Sequence, residues 1–171
     1  MRKYRRVATG GTFDRIHRGH LSLLEKSFEV GDEVVIGVPS DEFARRVGKT
    51  PENSYDERVK ALVRTLRQRF PGRRYIIAKL DDYFGPGIAS AEVQALVASE
   101  ETASRIELAN EMRRAKGFPP LELVVVELVK AEDGRPISST RIREGEIDTD
   151  GRLLKAKTFQ RGRKGHRKDS A

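Results

Sequence analysis

Thr9-Gly10-Gly11-Thr12-Phe13-Asp14-Arg15-Ile16-His17-Arg18-Gly19-His20 is the stretch whose reading decides the fold. Before it, Tyr4-Arg5-Arg6-Val7-Ala8 is a short extended run; after it, Leu21, Leu24 and Phe28 recur at helical spacing. A strand that turns on glycines into a helix start is where an α/β sheet offers backbone N–H groups to an anion, so the stretch reads as a phosphate site. His17 and His20 stand three residues apart at the mouth of that helix, on one side of the turn, where both imidazoles can aim N–H donors at one cluster of oxygens. Gly19 between them leaves free the space of a Cβ, which reads as room for a bulky ligand. Zinc fits poorly, because the chain has no cysteine and its third histidine, His166, lies in a charged terminal run. No metal ligand is assigned.

Outward from this corner, the helix is expected to end near Gly31 as its C′ residue, and Asp32–Val38 is a strand with a continuous apolar centre, as in a parallel sheet covered on both faces. Asp41–Val47 reads as a short helix and 48–53 as a loop. Ser54-Tyr55-Asp56-Glu57 is a capping box opening a helix that turns Val59, Leu62, Val63, Leu66 and Phe70 inward. Tyr75–Leu80, Ala95–Ser99 and Leu121–Val129 are three further strands, 81–87 is a loop, and Glu100-Glu101-Thr102 leads into a helix carrying Ile106, Leu108, Ala109 and Met112. Ser138-Ser139-Thr140 starts a last short helix. Strands alternating with helices predict an α/β fold with a Rossmann-like, doubly wound parallel sheet in a single domain over 1–150.

Two motifs identify the chain further. Gly11-Thr12-Phe13-Asp14 with His17-Arg18-Gly19-His20 resembles the first signature of the HxGH nucleotidylyltransferase superfamily. Ile137-Ser138-Ser139-Thr140-Arg141-Ile142-Arg143 resembles its second, ISSTxxR. The resemblance implies five strands in the order 3-2-1-4-5, which sets strands 1 and 4 at the switch point with a ligand over their carboxyl ends. It implies nucleotidyl transfer from a nucleoside triphosphate, with His17 and His20 as catalytic hydrogen-bond donors and Mg²⁺ accompanying ATP. The ATP-binding residues are then expected to be Gly10, Gly11, Thr12, Phe13, His17, Gly19, His20, Ser138, Ser139, Thr140 and Arg143, with Arg141 close to the terminal phosphates.

The acceptor is suggested by a narrower likeness. The order Gly-Gly-Thr-Phe-Asp, His-x-Gly-His, Gly48-Lys49, Tyr55-Asp56-Glu57-Arg58-Val59 is similar to the phosphopantetheine adenylyltransferases, and Val97-Ala98-Ser99-Glu100-Glu101-Thr102 resembles their archaeal and eukaryotic branch. That likeness implies adenylyl transfer to 4′-phosphopantetheine in coenzyme A biosynthesis. Thr12 and Lys49 would contact the acceptor, and Arg105 stands in for the clamping arginine of the bacterial branch, whose arginine-glycine loop is missing here. Arg58 reads as a surface charge, and Asp14 as a tie for the turn. A sibling acting on FMN, nicotinamide mononucleotide or glycerol phosphate stays open, as does a non-catalytic nucleotide- or RNA-binding module.

Composition bounds the rest. The formal net charge is +8, but 151–171 holds eight Lys or Arg against one Asp, so the body of the chain carries 26 basic and 25 acidic residues. That end reads as a basic C-terminal tail, solvated rather than an RNA-binding arm, with a helix start at Gly151–Lys157. No run of about eighteen apolar residues and no signal-peptide core occurs, so a cytoplasmic protein without a membrane partner is expected, as a monomer or a small homo-oligomer.

Overall fold

A computed structural model describes residues 2–154, and the expected tail from 155 onward lies outside the described residues. The chain runs β1 (Tyr4–Gly10), α1 (Arg18–Val30), β2 (Gly31–Pro39), α2 (Asp41–Arg46), α3 (Tyr55–Arg69), β3 (Arg74–Leu80), α4 (Pro86–Ala89), β4 (Ala95–Ser99), α5 (Glu100–Ala103), α6 (Ile106–Ala115), β5 (Glu122–Val126) and α7 (Ser139–Arg143). All strands pair in parallel, in the order β3-β2-β1-β4-β5. The order reverses between β1 and β4, so their carboxyl ends open a crevice at the switch point.

The central strands are apolar on both faces because helices cover both, while Ile76 of β3 and Leu123 and Val125 of β5 stay exposed at the edges. Val7, Val34, Ile36, Val38 and Val97 pack under α1 and α3 through Leu24, Phe28, Leu62 and Leu66, while Ala8, Val35 and Ala78 face Ile88 and Ile106 on the other side. Each fully buried Val, Leu, Ile or Phe side chain of the first face contributes about 1.5–3 kcal/mol of transfer free energy. Ser54 caps α3 by accepting from Glu57 N, and the Glu57 side chain returns to Ser54 N, as the capping box requires.

Several local expectations shift. The inward face of α1 is Leu23, Leu24, Ser27 and Phe28, and Leu21 is only half-buried. Gly31 takes an extended φ of −117° and begins β2 at once, without a left-handed cap; Val7 of the neighbouring strand occupies the space a Cβ would need there. The expected 81–87 loop ends in α4, seeded by Pro86 at the first helical position. β5 is shorter than Leu121–Val129. No helix starts in the described residues 151–154; Leu153 instead bridges Ile147, closing a small lobe whose core is Ala131, Ile137 and Ile147. Among the described residues no helix is long and apolar enough to cross a membrane.

Candidate active site

The site begins where β1 runs out. Gly10 ends the strand, Gly11 N donates to Gly37 O at 3.1 Å, and Phe13 turns the chain with φ of 53°, a left-handed conformation that costs a side-chain-bearing residue about 1–2 kcal/mol. The Phe13 ring is fully buried in the core, and that burial offsets the strain. Its backbone alone is therefore left to face a ligand.

His17 is the N-cap of α1. Its Nδ1 accepts from Gly19 N at 3.0 Å, and its own N–H donates to His20 Nδ1 at 3.2 Å. Two imidazoles thus make a capping box in the way Ser and Glu usually do. Because both Nδ1 atoms accept, both rings carry their proton on Nε2, which leaves two N–H donors on a stacked pair. Burial pushes the His17 pKa down to about 4. Burial, reinforced by the Lys49 charge and by repulsion from His17 whenever that ring is protonated, and opposed by the Arg15 carbonyl, pushes His20 to about 3. At these values both rings are neutral at physiological pH, each with an Nε2–H group to donate.

Gly19 has a different reason from the one the spacing implies. A Cβ there would lie 2.8 Å from the His17 ring, so the glycine makes room for the imidazole itself.

The second motif docks on the first across more than a hundred residues of sequence. Ser139 Oγ donates to Arg15 O at 3.4 Å, Arg143 pairs with Asp14 at 3.2 Å, and Arg18 N donates to Thr149 O at 3.1 Å. Ser138 caps α7 by accepting from Arg141 N, which leaves the amides of Ser139 and Thr140 in its open first turn. Arg141 does not reach toward phosphate: it is buried, donating to Glu146 at 2.9 Å and to Pro136 O at 3.1 Å and pairing with Asp133, whose carboxyl Arg141 holds down to about 2. It fastens α7 to the small lobe.

Beside this corner lies a cleft of about 460 Å³ over the carboxyl ends of the strands. Gly10, Gly11 and Thr12 form its wall toward the imidazoles, and Val35, Phe43, Leu80, Ile88 and Leu96 make its depth apolar. Lys49 and Arg105 bring positive charge to it, and Lys49 Nζ donates to Thr12 Oγ1 at 3.3 Å. Desolvation, then repulsion from Arg105, lowers the Lys49 pKa against the attraction of Glu101. Arg105 rests over the Tyr83 ring at 4.4 Å, and Tyr83 meets the edge of Phe43. A larger cavity of about 680 Å³ sits at the amino ends of the strands, remote from the switch point, where Glu33 pairs with Arg6 and Arg74 and Glu92 pairs with Arg6.

One arginine behaves against its sequence reading, and a second carries a role the sequence does not announce. Arg58, expected on the surface, is 1% exposed and donates to Thr12 O, Pro39 O, Asn53 O and Asp41 at 2.9–3.2 Å, so it props the floor under Thr12. Arg113 is equally buried and holds the carbonyls of Ile88, Ser90, Val93 and Pro119 behind the cleft. Most of their partners are backbone carbonyls nineteen or more residues away, which leave no local signal. Asp14 is the tie that its position implies: it accepts from Glu52 N and Asn53 N.

The cytidylyltransferase-like family matches residues 8–145 of the chain. The phosphopantetheine adenylyltransferase of Methanothermobacter thermautotrophicus is 45% identical over 154 residues, covering 90% of this chain and 92% of that protein. The one from Methanopyrus kandleri is 44% identical over 146 residues, covering 85% and 92%. Among solved structures, a protein of unknown function from Archaeoglobus fulgidus is 27% identical with a TM-score of 0.64, covering 71% of this chain and 88% of that one.

Proposed function

The chain belongs to the cytidylyltransferase-like family and, within it, to the phosphopantetheine adenylyltransferases, and on that premise we propose that it transfers the adenylyl group of ATP to 4′-phosphopantetheine. The products are dephospho-coenzyme A and pyrophosphate, a step of coenzyme A biosynthesis in the cytoplasm. The observation that carries this reading is the contact of α7 with the signature turn beside an apolar cleft bearing Lys49 and Arg105.

In this reading the triphosphate lies between the two motifs. The backbone of Gly10–Phe13 and the Gly19 turn border it, Ser138, Ser139 and Thr140 offer hydroxyls and open amides to its outer phosphates, and Arg143 adds charge. His17 and His20 direct their Nε2–H groups at the α-phosphate. The acceptor phosphate rests at Lys49, Arg105 and the Thr12 hydroxyl, with its uncharged arm along the apolar cleft. Glycerol phosphate has no such arm to bury, which favours the longer acceptor.

An acceptor phosphate monoester is largely dianionic at pH 7 and needs no general base. One of its oxygens attacks the α-phosphorus in line. The new P–O bond forms as the bond to the α,β-bridging oxygen breaks, and that electron pair leaves on pyrophosphate. No covalent enzyme intermediate arises. The two neutral imidazoles hold the charge that gathers on the five-coordinate phosphoryl oxygens, without proton transfer. A bound Mg²⁺ would supply charge neutralisation on the triphosphate; Asp14, the carboxylate of the signature turn, is engaged by Arg143 and two amides and would not be needed to hold it.

The test supplies ATP or CTP with 4′-phosphopantetheine, FMN, nicotinamide mononucleotide or glycerol phosphate and measures pyrophosphate. Turnover is expected with ATP and 4′-phosphopantetheine. Efficient turnover of FMN with none of 4′-phosphopantetheine would overturn the assignment.

A further inference from the structure

We propose that Asp14 and Arg143 form a joint that couples the two substrate sites, so that a nucleotide on α7 tightens the hold of the 48–53 loop on the acceptor. The inference rests on the substrate assignment above. The loop carries Lys49 over the cleft and belongs to no helix or strand; Ala44 O holds its start, Arg15 pairs with Glu52 and Arg58 holds Asn53 O, while Asp14 and Arg143 together hold its end at Thr50, Glu52 and Asn53. The Asp14 carboxylate, with its side chain 2% exposed, accepts from Glu52 N at 3.1 Å, Asn53 N at 3.0 Å and Asn53 Nδ2 at 3.1 Å. The same Oδ2 that holds Glu52 N also receives Arg143 at 3.2 Å.

Arg143 closes the other side. Its NH1 group donates both to Asp14 and to Thr50 O, at 2.7 Å, and its NH2 group donates to Thr140 Oγ1 at 3.1 Å. One guanidinium therefore touches the signature turn, the acceptor loop and the nucleotide helix. A guanidinium has five N–H donors, and three of them make these contacts. The remaining two, on NH2 and Nε, can meet a phosphate without releasing Asp14 or Thr50. Phosphate binding then restrains the guanidinium, and through Thr50 and Asp14 it restrains the loop that presents Lys49. The sign of the coupling is positive. Burial opposes the charge on Asp14, but the donors from Asn53 and Glu52 and the Arg143 charge outweigh it and keep the carboxyl below its usual range, so the joint stays charged at neutral pH.

Linkage makes the effect reciprocal and measurable on binding alone. Calorimetric titration of 4′-phosphopantetheine into the intact protein, with and without saturating α,β-methylene-ATP, should show the acceptor binding at least roughly fivefold tighter with the nucleotide present, and the reverse order should give the same factor. In Asp14→Asn, which keeps the side chain's size, the factor should fall to near one while each ligand alone binds within about threefold of the parent. Asn53→Ala, which removes only the side-chain bonds to Asp14, should give an intermediate factor and serves if the first variant is unstable. A parent protein that binds both ligands independently, or an Asp14→Asn protein with the parent's factor, would overturn the coupling alone. A parent that binds neither ligand would overturn the substrate assignment and the coupling with it.

Discussion

His17 and His20 stack with ring centroids 3.9 Å apart and planes 26° from parallel, each Nδ1 taken by a backbone N–H of the turn that carries them. The arrangement uses one nitrogen of each ring for structure and leaves the other as an N–H donor. It also explains why the pair is neutral, since a second proton on either ring would face the amide that Nδ1 now accepts from, in a site with little water.

The first prediction follows from that neutrality. An unfolded histidine has a pKa near 6.5, whereas the folded values are about 4 for His17 and about 3 for His20. Between these limits the unfolded chain binds more protons, so the contribution is fully present above pH 6.5 and is lost as the pH falls toward 4 and 3. The slope is on the order of 1 kcal/mol per pH unit per histidine. Urea unfolding should show a lower midpoint at pH 5 than at pH 7, and the Cε1–H resonances of both rings should not titrate between pH 5 and pH 8. A ring that titrates near 6.5 would contradict the assignment of neutral donors.

Replacing His20 by alanine removes one donor to the transition state and a single cap contact. The rate constant kcat should fall by about 10²–10³, with the melting temperature within a few degrees of the parent. A rate within a few-fold of the parent would remove His20 from the chemistry.

Arg58→Met removes four hydrogen bonds from a fully buried group and leaves the carbonyls of Thr12, Pro39 and Asn53 unpaired. A loss of roughly 3–5 kcal/mol is expected, read as a fall in the urea midpoint. A change under about 1 kcal/mol would show that water replaces the guanidinium at little cost, which the burial of this residue speaks against.

Lys49→Ala should raise KM for the acceptor at least about tenfold, a loss of roughly 1.4 kcal/mol, and leave KM for ATP within about twofold. An equal rise in both would move Lys49 from the acceptor to the triphosphate.

Much of this architecture is legible in the chain because it is written locally. The β2 run Val34-Val35-Ile36 and the α3 box Ser54–Glu57 announce themselves within a few residues, and two spaced motifs imply the strand order that the sheet adopts. What is not legible depends on partners far along the chain. Arg58 looks like a surface charge and Arg141 like a phosphate contact until carbonyls and carboxylates from other segments surround them. Gly19 looks like space for a ligand until the His17 ring folds over it. The cleft is assembled from the ends of β1 to β4 and the loops beside them, so Tyr83, which supports Arg105, carries no local signature at all.

The central claim is that one triphosphate is gripped between the paired imidazoles and the serine-led helix. A crystal structure with α,β-methylene-ATP tests it most directly. The account predicts α-phosphate oxygens at about 2.7–3.2 Å from Nε2 of His17 and His20, with the outer phosphates on the amides of Ser139 and Thr140. A nucleotide whose phosphates lie in the apolar cleft, or at the amino ends of the strands, away from both imidazoles, would contradict it.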